Sequence, residues 1–558
     1  MPSPKAAGWR HTAILLSLII AGLLVFAQSM SVGYLADDFD WLIFATDTRY
    51  DLLDPIATAG TGTYFRPLIT LSLQLEQAIG GEQALQVHKG ANLAFHLISA
   101  VLVYGITFLI CSRMDLAAGL SFLFLVHPAV VPSVFWISAR VDSLMALFYL
   151  SAIFFFLAFL RKADPWLLIL CATTFLAALL AKETGSTLVI TLTVLALLAH
   201  RPQGVNGAFV AKTRRRVRPL LALFGGLTLI YLAFLWFTIY RQASDVLPQL
   251  GARELMEALL GPPVLLLAPG NETFLLQLYS SWPWLLGGAV AAFLLSVAVI
   301  LLILARSQGL SGLQFGLLLA ALYLIPLLPL ALSGANTRRM YLPLAVVCIM
   351  ISFLPRVASP IGRWLPPVLL FLAPLLAAAS LSSGSVWRHN WQLTQQYCES
   401  YRRIAREDNA VGAPALLLAA PGRARDAPLF ANDVNAALHH CLTGEFGYLQ
   451  RLLSIAEFRT ARAAPGDPAF ALQQRSARKF ELTALSPADY FFFGSPVNLG
   501  RIYDDDYLAV DVTSLRGQNQ VEAYSVLFKA GADLSQIRLL SFDSSGFQEV
   551  VASPTGGN

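Results

Sequence analysis

An acidic segment between aromatic residues is the part of the sequence best suited to chemistry. Residues 34 to 41 read YLADDFDW and place Asp37, Asp38 and Asp40 within four positions. Adjacent carboxylates repel each other, and a carboxylate that takes up a proton near neutral pH can serve as a general base. The alternative is a solvated loop whose acids merely follow a helix end.

Further charged residues recur beside apolar segments. They are Arg66, Arg140 with Asp142, Lys182 with Glu183, and Arg338 and Arg339 followed by Tyr341. Short outer loops of membrane proteins contain few Lys and Arg, so cations in such loops indicate local partners. Fixed cations would stabilise a phosphate that leaves with growing negative charge. The alternative for each residue is an ion pair within the protein, such as Arg140 with Asp142 or Glu183 with a nearby cation.

His88, Asn92 and His96 recur every four residues at the start of an apolar segment. Histidines eight residues apart on a helix are separated by roughly 12 Å along its axis, so these two cannot bind one metal together. A divalent cation bound by His88 and Asn92 together is an open alternative. A polar stripe that faces the interior of a helix bundle is the preferred interpretation.

The composition predicts the elements that position these residues. Of 558 residues, 56% are hydrophobic and 13% are charged, whereas soluble domains have about 25% charged residues. The net charge of +5 is spread over loops, which argues against nucleic-acid binding. Since a bilayer core requires roughly 20 apolar residues per helix, the sequence predicts eleven spans. They lie near 12–30, 91–111, 116–135, 142–160, 166–181, 186–200, 219–240, 284–305, 313–332, 340–355 and 364–383.

The positions of basic residues predict an orientation. With the N-terminus inside the cell, every predicted cytoplasmic segment contains Lys or Arg. These residues are Lys5, Arg10, Arg113, Arg161, Lys162, Lys212, Arg214, Arg215, Arg216, Arg218, Arg306, Arg356 and Arg363. The outer face would then hold a first loop (31–87), a second loop (241–283) and the C-terminal region. The apolar stretch 68–75 in the first loop predicts a helix along the membrane surface.

The polarity of the chain changes at about residue 384. The predicted architecture is an all-α polytopic bundle (1–383) followed by a small α+β domain outside the cytoplasm (384–558). Stretches 415–420, 490–493, 507–512 and 537–542 predict short strands, and 543–546, which read DSSG, predict a hairpin turn. Cys398 and Cys441 are a plausible disulfide only if this region lies in an oxidising compartment.

Several short motifs follow one another in an order that resembles a known group. They are the acidic pair, YFRPL at 64–68, the polar stripe at 88–96, VHP at 126–128, WISARVD at 136–142, AKET at 181–184 and RRMYLP at 338–343. Together they resemble the GT-C superfamily of polytopic glycosyltransferases. Within it, the chain looks like the protein O-mannosyltransferases and their relatives that carry tetratricopeptide repeats, over roughly residues 10–400.

The resemblance implies an activity and a role for each motif. Members transfer a sugar from a polyprenyl or dolichyl phosphate at the outer face, with inversion at the anomeric carbon. Asp37 would be the base for the acceptor hydroxyl, and Asp38 would position the acceptor or share the proton. The donor phosphate would contact cations among Arg338, Arg339, Lys182, Arg140 and Arg66. The substrate cavity would include His88, Asn92, His96, Tyr341 and Glu183.

Other features leave the identity of the acceptor and the functional class of the protein open. The C-terminal region lacks the tetratricopeptide repeats of the relatives, and the second loop has no recognisable lectin-type domain. A protein, a lipid or a polysaccharide are therefore all candidate acceptors, and membrane lipids are expected partners. The sequence specifies no cofactor; a divalent cation is an open alternative. A bacterial inner membrane is the expected location. A glycolipid transporter or flippase, a polysaccharide polymerase or ligase, and a sensory or structural membrane protein are the alternatives.

Overall fold

The chain forms two compact units. The computed structural model describes residues 4–46, 65–199, 207–240, 262, 265–266, 288, 310–327, 337–354, 359–407, 414–424, 427–431, 434–446, 449, 452–460, 470–486, 489–493, 497–517, 520–534 and 537–550. The first unit comprises Met1–Met30, Asp47–Glu272 and Leu278–Gly384. The second comprises Ser31–Thr46, Thr273–Gln277 and Ser385–Asn558.

Helices dominate the described part of the first unit. In chain order, and including the second unit's α2 and α14, they are α1 (Pro4–Phe26), α2 (Asp38–Thr46), α3 (Pro67–Gly80), α4 (Ala84–Cys111), α5 (Met114–Val126), α6 (Val131–Phe135), α7 (Arg140–Lys162), α8 (Pro165–Ala181), α9 (Leu188–Ala199), α10 (Gly207–Leu235), α11 (Leu310–Leu324), α12 (Tyr341–Ile351), α13 (Ser359–Glu407) and α14 (Val434–Thr443). The boundary between the units falls within α13.

The chain is a multi-pass membrane protein. Among the described residues, five helical segments are long and apolar enough to cross a bilayer, and a bent pair would make six. The five are Gly8–Ser31, Pro67–Cys111, Ile137–Lys162, Val217–Thr238 and Arg363–Arg406. Shorter apolar helices cover Pro165–Ala181, Glu183–Leu198 and Gln314–Leu327. Eleven spans are not established, since of the predicted span 284–305 only Gly288 is described.

Tight connections join several of these helices in the first unit. Ser112 and Ala163 have a left-handed backbone with φ of 56°, and they end α4 and α7. In each case the N–H closes onto a carbonyl four residues earlier, as at many helix C-termini. Asp164 then caps α8 by accepting from the Trp166 N–H at 3.0 Å, with Pro165 in the first turn. Short links of this kind make α7 and α8 antiparallel neighbours.

The predicted span 116–135 is broken in the structure. Helix α5 ends at Val126, and the segments Met114–Val126 and Pro128–Phe135 meet at an angle of 51°. Proline lacks a backbone N–H and disfavours helical backbone in the residue before it, so His127 is extended. The Nδ1 of His127 accepts from the Ala129 N–H at 3.2 Å and starts the next turn.

The second unit is built from β-strands around α13 and α14. The strands are β1 (Ala415–Leu417), β2 (Ala420–Ala424), β3 (Ala427–Pro428), β4 (Leu452–Ser454), β5 (Glu457–Thr460), β6 (Phe470–Ser476), β7 (Lys479–Ala484), β8 (Asp489–Phe492), β9 (Gly500–Asp504), β10 (Leu508–Gly517), β11 (Gln520–Phe528), β12 (Arg538–Asp543) and β13 (Gly546–Glu549). Within the described residues one sheet has the order β13-β12-β1-β4. The larger sheet follows β3-β2-β5-β8-β11-β10-β9, with the β6-β7 pair joined to β11.

Most of the predicted strands are confirmed, with one correction. The segments 490–493, 507–512 and 537–542 coincide with β8, β10 and β12, and the predicted hairpin joins β12 to β13. The segment 415–420 was predicted as one strand and is instead two. Strand β1 pairs in parallel with β4 and β12, whereas β2 pairs with β5 in the other sheet. The chain changes sheets between them, at Leu418 and Ala419.

A disulfide links α13 to α14 in the second unit. It joins Cys398 on α13 to Cys441 on α14, with the two Cα atoms 5.5 Å apart. Both residues belong to the hydrophobic core that α13, α14 and the sheets share. The predicted pairing is therefore present in the structure.

Candidate functional site

In the first unit, a cluster of charged residues surrounds Asp142. This carboxylate lies in the first turn of α7, where the helix dipole favours an acid. One of its oxygens pairs with the Lys182 ammonium, and the other lies 3.4 Å from Arg338 Nε. The Arg338 guanidinium also lies over the Trp136 ring, 4.9 Å from its centroid. Three motifs that are distant in sequence therefore meet at one acid.

Arg66 and Glu183 form a second ion pair beside this cluster. Arg66 donates from Nε and NH2 to the two oxygens of Glu183, at 3.1 and 3.0 Å. Such a bidentate contact between a guanidinium and a carboxylate is a strong and geometrically well-defined form of ion pair. Glu183 belongs to a tight turn after α8 in which a Cβ on Gly185 would lie 2.4 Å from the Ala178 carbonyl oxygen. Only glycine fits there, so the turn that presents Lys182 and Glu183 is set by Gly185.

Four cations and two carboxylates gather in this cluster. Lys182 interacts electrostatically with Asp142, Arg66, Arg338 and Arg339, and Asp142 interacts with Arg338 and Arg339 as well. The six residues are Arg66, Lys182, Arg338, Arg339, Asp142 and Glu183; we refer to them as the cation cluster. Cations that are gathered and oriented in this way are suited to contact an anionic phosphate.

Arg140 belongs to a separate buried network. Its NH1 donates to both oxygens of Glu76, at 2.8 and 2.7 Å, and to Ser72 Oγ at 3.2 Å. Its NH2 donates to the His88 carbonyl at 3.1 Å, and His88 Nδ1 lies 2.7 Å from Glu76 Oε2. The structure thus pairs Arg140 with Glu76, and Asp142 with Lys182 and Arg338. Glu76 was not singled out in the sequence, although a carboxylate within an apolar helix requires a buried partner.

Helix α4 carries the predicted polar stripe. His88, Asn92 and His96 are all buried, together with Lys89, which the sequence analysis missed. Asn92 Nδ2 donates to the Trp136 carbonyl at 2.9 Å, and Lys89 Nζ donates to the Phe135 carbonyl at 2.6 Å. Both contacts hold the residues that follow the break at His127. The stripe therefore fixes the backbone that leads into α7.

His96 links α4 to α12. Its Nδ1 lies 2.9 Å from the Tyr341 hydroxyl, and its Nε2 lies 2.9 Å from the Leu125 carbonyl. Tyr341 is fully buried and lies two residues after Arg339. The bond therefore positions the start of α12 and the two arginines before it. In the described part of the chain, no group of three or more His, Cys, Asp or Glu side chains has the arrangement of a metal site.

The acidic turn lies in the second unit. Asp38 is fully buried and begins α2, and its Oδ2 accepts from the Leu35 N–H at 3.0 Å. Asp37 is partly exposed, and its carbonyl accepts from the Trp41 N–H at 3.2 Å. Between Leu35 and Asp37, Ala36 has a left-handed backbone with φ of 49°. A non-glycine residue in that region is strained, and such strain is concentrated at functional sites.

Comparison with known proteins supports the resemblance drawn from the motifs. No family model matches the chain. The chain is 36% identical over 135 residues to the protein O-mannosyl-transferase Tmtc1 of Drosophila melanogaster. The match covers 24% of this chain and 15% of the fly protein, so it spans only a small part of that relative's length.

Distant similarity to solved structures is also found. The oligosaccharyltransferase of Archaeoglobus fulgidus, tethered to an acceptor peptide, matches with a TM-score of 0.39 and 13% identity, over 73% of this chain and 61% of that one. ArnT from Cupriavidus metallidurans, bound to undecaprenyl phosphate, matches with a TM-score of 0.39 and 12% identity, over 82% and 93%. Likeness at this level carries no argument about activity. The sequence match confirms, over 24% of the chain, the resemblance to the protein O-mannosyltransferases.

Proposed function

We propose that the chain is a membrane glycosyltransferase that transfers a sugar from a polyprenyl phosphate donor to an acceptor hydroxyl. The observation that carries the proposal is the convergence of four cations from distant parts of the sequence in the cation cluster. A sugar phosphate ester is an anion that these cations would bind, and the phosphate gains more charge as its bond to the sugar breaks. Fixed cations that are already in place stabilise that transition state more than the ground state.

The cations have distinct positions within this proposal. Arg338, Arg339 and Lys182 would contact the phosphate, while Asp142 holds Lys182 and Arg338 in place. Arg66 would act beside them, oriented by Glu183. Arg140 is held by Glu76 in its own network, so its contacts favour a role in positioning α7. A sequence match to a protein O-mannosyl-transferase over 135 residues agrees with such an activity.

The acidic turn would supply the base. The acceptor oxygen attacks the anomeric carbon from the side opposite the phosphate, and its proton passes to the Asp37 carboxylate. The bond between the anomeric carbon and the phosphate oxygen breaks at the same time, and the phosphate leaves with the electron pair. The configuration at the anomeric carbon is therefore inverted. Asp38, which is engaged with Leu35, would hold the turn or share the proton.

The disulfide supports an outer-face location for the second unit. Structural disulfides persist in the periplasm and outside cells, whereas the cytosol keeps thiols reduced. Cys398 and Cys441 are joined in the structure. We propose that the C-terminal region and the acidic turn face the periplasm of a bacterial inner membrane. A glycolipid flippase and a polysaccharide polymerase or ligase are the competing functions.

A donor-binding experiment tests the assignment of the cations. Arg338→Ala should lower kcat/KM for the donor by about 10- to 100-fold, because one charge-assisted hydrogen bond contributes about 1.5–3 kcal/mol. Arg113→Ala is the matched control, since Arg113 forms an exposed pair with Asp115. Unchanged kcat/KM for the donor in purified Arg338→Ala and Arg339→Ala proteins would remove both arginines from the site. A purified protein that moves the intact glycolipid across vesicles without cleaving it would favour a flippase.

A further inference from the structure

Aromatic rings from two parts of the second unit enclose the acidic turn. Tyr34 precedes Asp37 and Phe39 follows Asp38. Both rings pack on His440 of α14, with centroid distances of 5.7 and 5.5 Å. Tyr34 also packs on Phe446 at 5.4 Å, and Phe446 stacks on His440 at 4.8 Å with the ring planes 11° apart. We call these four residues the aromatic cluster: Tyr34, Phe39, His440 and Phe446.

The backbone of the turn has two further anchors in the same unit. The Ala36 N–H donates to the Leu429 carbonyl at 3.3 Å. Gly33 lies so close to Trp391 that an added Cβ would be 2.3 Å from the indole ring. These contacts fix the chain on the N-terminal side of the carboxylates. They hold the left-handed backbone of Ala36, while the Phe39 ring packs in the hydrophobic core of the unit and against His440.

Helix α14, which carries His440, is held in place by contacts near both of its ends. The neighbouring Cys441 is bonded to Cys398, and Arg402 donates to the Cys441 carbonyl. At the other end of the helix, Asn435 Nδ2 donates to the Leu449 and Leu452 carbonyls at 2.9 and 2.8 Å. The position of the His440 ring is therefore set by α13 and β4. Burial lowers the pKa of His440, which keeps the ring neutral in its stack.

We propose that His440 is a positioning residue for the reaction, because its ring holds Tyr34 and Phe39 and thereby fixes the two carboxylates between them. This inference rests on the proposed function, in which Asp37 takes the proton from the acceptor. His440 has no part in that proton transfer. Its contribution is the geometry of the turn, so an aromatic ring of similar size can replace it. The C-terminal domain thus has a role in transfer that does not require it to bind substrate.

The test compares three variants of the full-length protein. His440→Ala should lower single-turnover transfer on the order of 100-fold, the loss expected for a displacement of about 1 Å at a catalytic group. Its donor KM should stay unchanged, since the proposed phosphate contacts lie in the cation cluster. His440→Phe should restore most of the rate. His439→Ala is the control, because its imidazole shares with His440 the contact to the Glu445 carbonyl and also contacts Thr443, but it is not part of the aromatic cluster.

Hydrogen exchange separates this inference from the proposed function. In His440→Ala, the amides of residues 35–40 should exchange faster than in the unaltered protein, while those of β10 and β11 keep their rates. Unchanged exchange in the turn, or an unchanged transfer rate, would overturn the inference. If the unaltered protein transfers no sugar, the proposed function fails, and the exchange result still decides whether His440 orders the turn. If His440→Ala does not fold, Tyr34→Leu removes the edge-to-face contacts with His440 and Phe446 from the other side, with the same expected results.

Discussion

At the scale of single residues, the side chains proposed for chemistry differ in how their charges are compensated. Asp142 and Glu183 each contact cations, so they are fixed in place and poorly suited to accept a proton. Asp38 is buried and accepts a backbone N–H from Leu35. Asp37 is the more exposed member of the acidic pair. Exposure to an incoming hydroxyl favours Asp37 as the base.

The first prediction concerns Asp37. Replacing its carboxylate with the amide in Asp37→Asn retains the size but removes the proton acceptor, so turnover should fall by about 100- to 10,000-fold. Donor KM should change little, since general-base removal acts on the chemical step. The measurement is single-turnover transfer from a polyprenyl phosphate sugar by the purified protein.

A matched substitution at a neighbouring acid tests whether the effect is specific to Asp37. Asp40 lies in the first turn of α2, and Asp40→Asn should reduce the rate far less. Asp38 is a poorer control, because a neighbouring acid can take over the proton and blur the comparison. A nearly normal rate for Asp37→Asn would contradict the mechanism.

The second prediction concerns the buried pair of Glu76 and Arg140. Arg140 is fully buried, so Glu76→Gln removes the carboxylate charge from a buried ion pair and should destabilise the protein by about 3–5 kcal/mol. The expected result is a lower melting temperature in detergent. Glu82→Gln, at an exposed position, should melt like the unaltered protein. Equal melting temperatures for both variants would show that the pair contributes little.

The sequence singles out all six charged residues of the cation cluster but misses two buried groups outside it. Arg66, Lys182, Glu183, Arg338 and Arg339 stand out because they interrupt apolar segments. Glu76 and Lys89 do not, because each lies inside a helix where one polar residue is compatible with an exposed face. Their burial depends on how α3, α4 and α7 pack, and the sequence carries no direct record of that packing.

At the scale of elements, the sequence predicted helices better than their breaks. The apolar windows locate both ends of α7 and α8 within two residues, and the end of α4 at Cys111, because apolar length is a strong signal. Helix α4 begins at Ala84, however, seven residues before its predicted start. The window over 116–135 is equally apolar, yet His127 and Pro128 divide it. In the second unit, the strands near 470–484 and 520–528 were missed. Along Phe470–Ser476 and Gln520–Phe528, buried and more exposed residues alternate only in part. One face of the sheet covers the core, and the other face has both buried and more exposed residues.

The third prediction concerns the disulfide between α13 and α14. In denatured but unreduced protein, only Cys111, Cys171 and Cys348 should react with a thiol reagent, because they are the free cysteines. After reduction all five cysteines of the sequence should react. Mass spectrometry of the labelled protein counts the added groups. Five labels before reduction would show that Cys398 and Cys441 are not bonded.

At the scale of the whole molecule, the acidic turn belongs to the unit that contains the C-terminal region. Residues 31–46 cluster with residues 385–558, although several hundred positions separate them in sequence. The sequence placed the turn simply in the first outer loop, since contacts between such distant segments leave no periodic signal. Its connection to α14 explains why a C-terminal domain without recognisable repeats would still matter for transfer.

The last prediction is the orientation of the chain. Arg161 and Lys162 end α7, and other basic residues lie in the remaining loops assigned to the cytoplasm, which is the usual bias of inner-membrane proteins. The second unit contains a disulfide, which requires an oxidising compartment. These two arguments are independent because one concerns insertion and the other concerns redox chemistry. Alkaline phosphatase fused after Gly557 should therefore be active, and the same reporter inserted after Ala163 should be inactive. A fluorescent reporter that folds only in the cytoplasm should give the opposite pattern at both positions. Cytoplasmic fluorescence after Gly557 would place the acidic turn on the wrong side for a donor presented at the outer face.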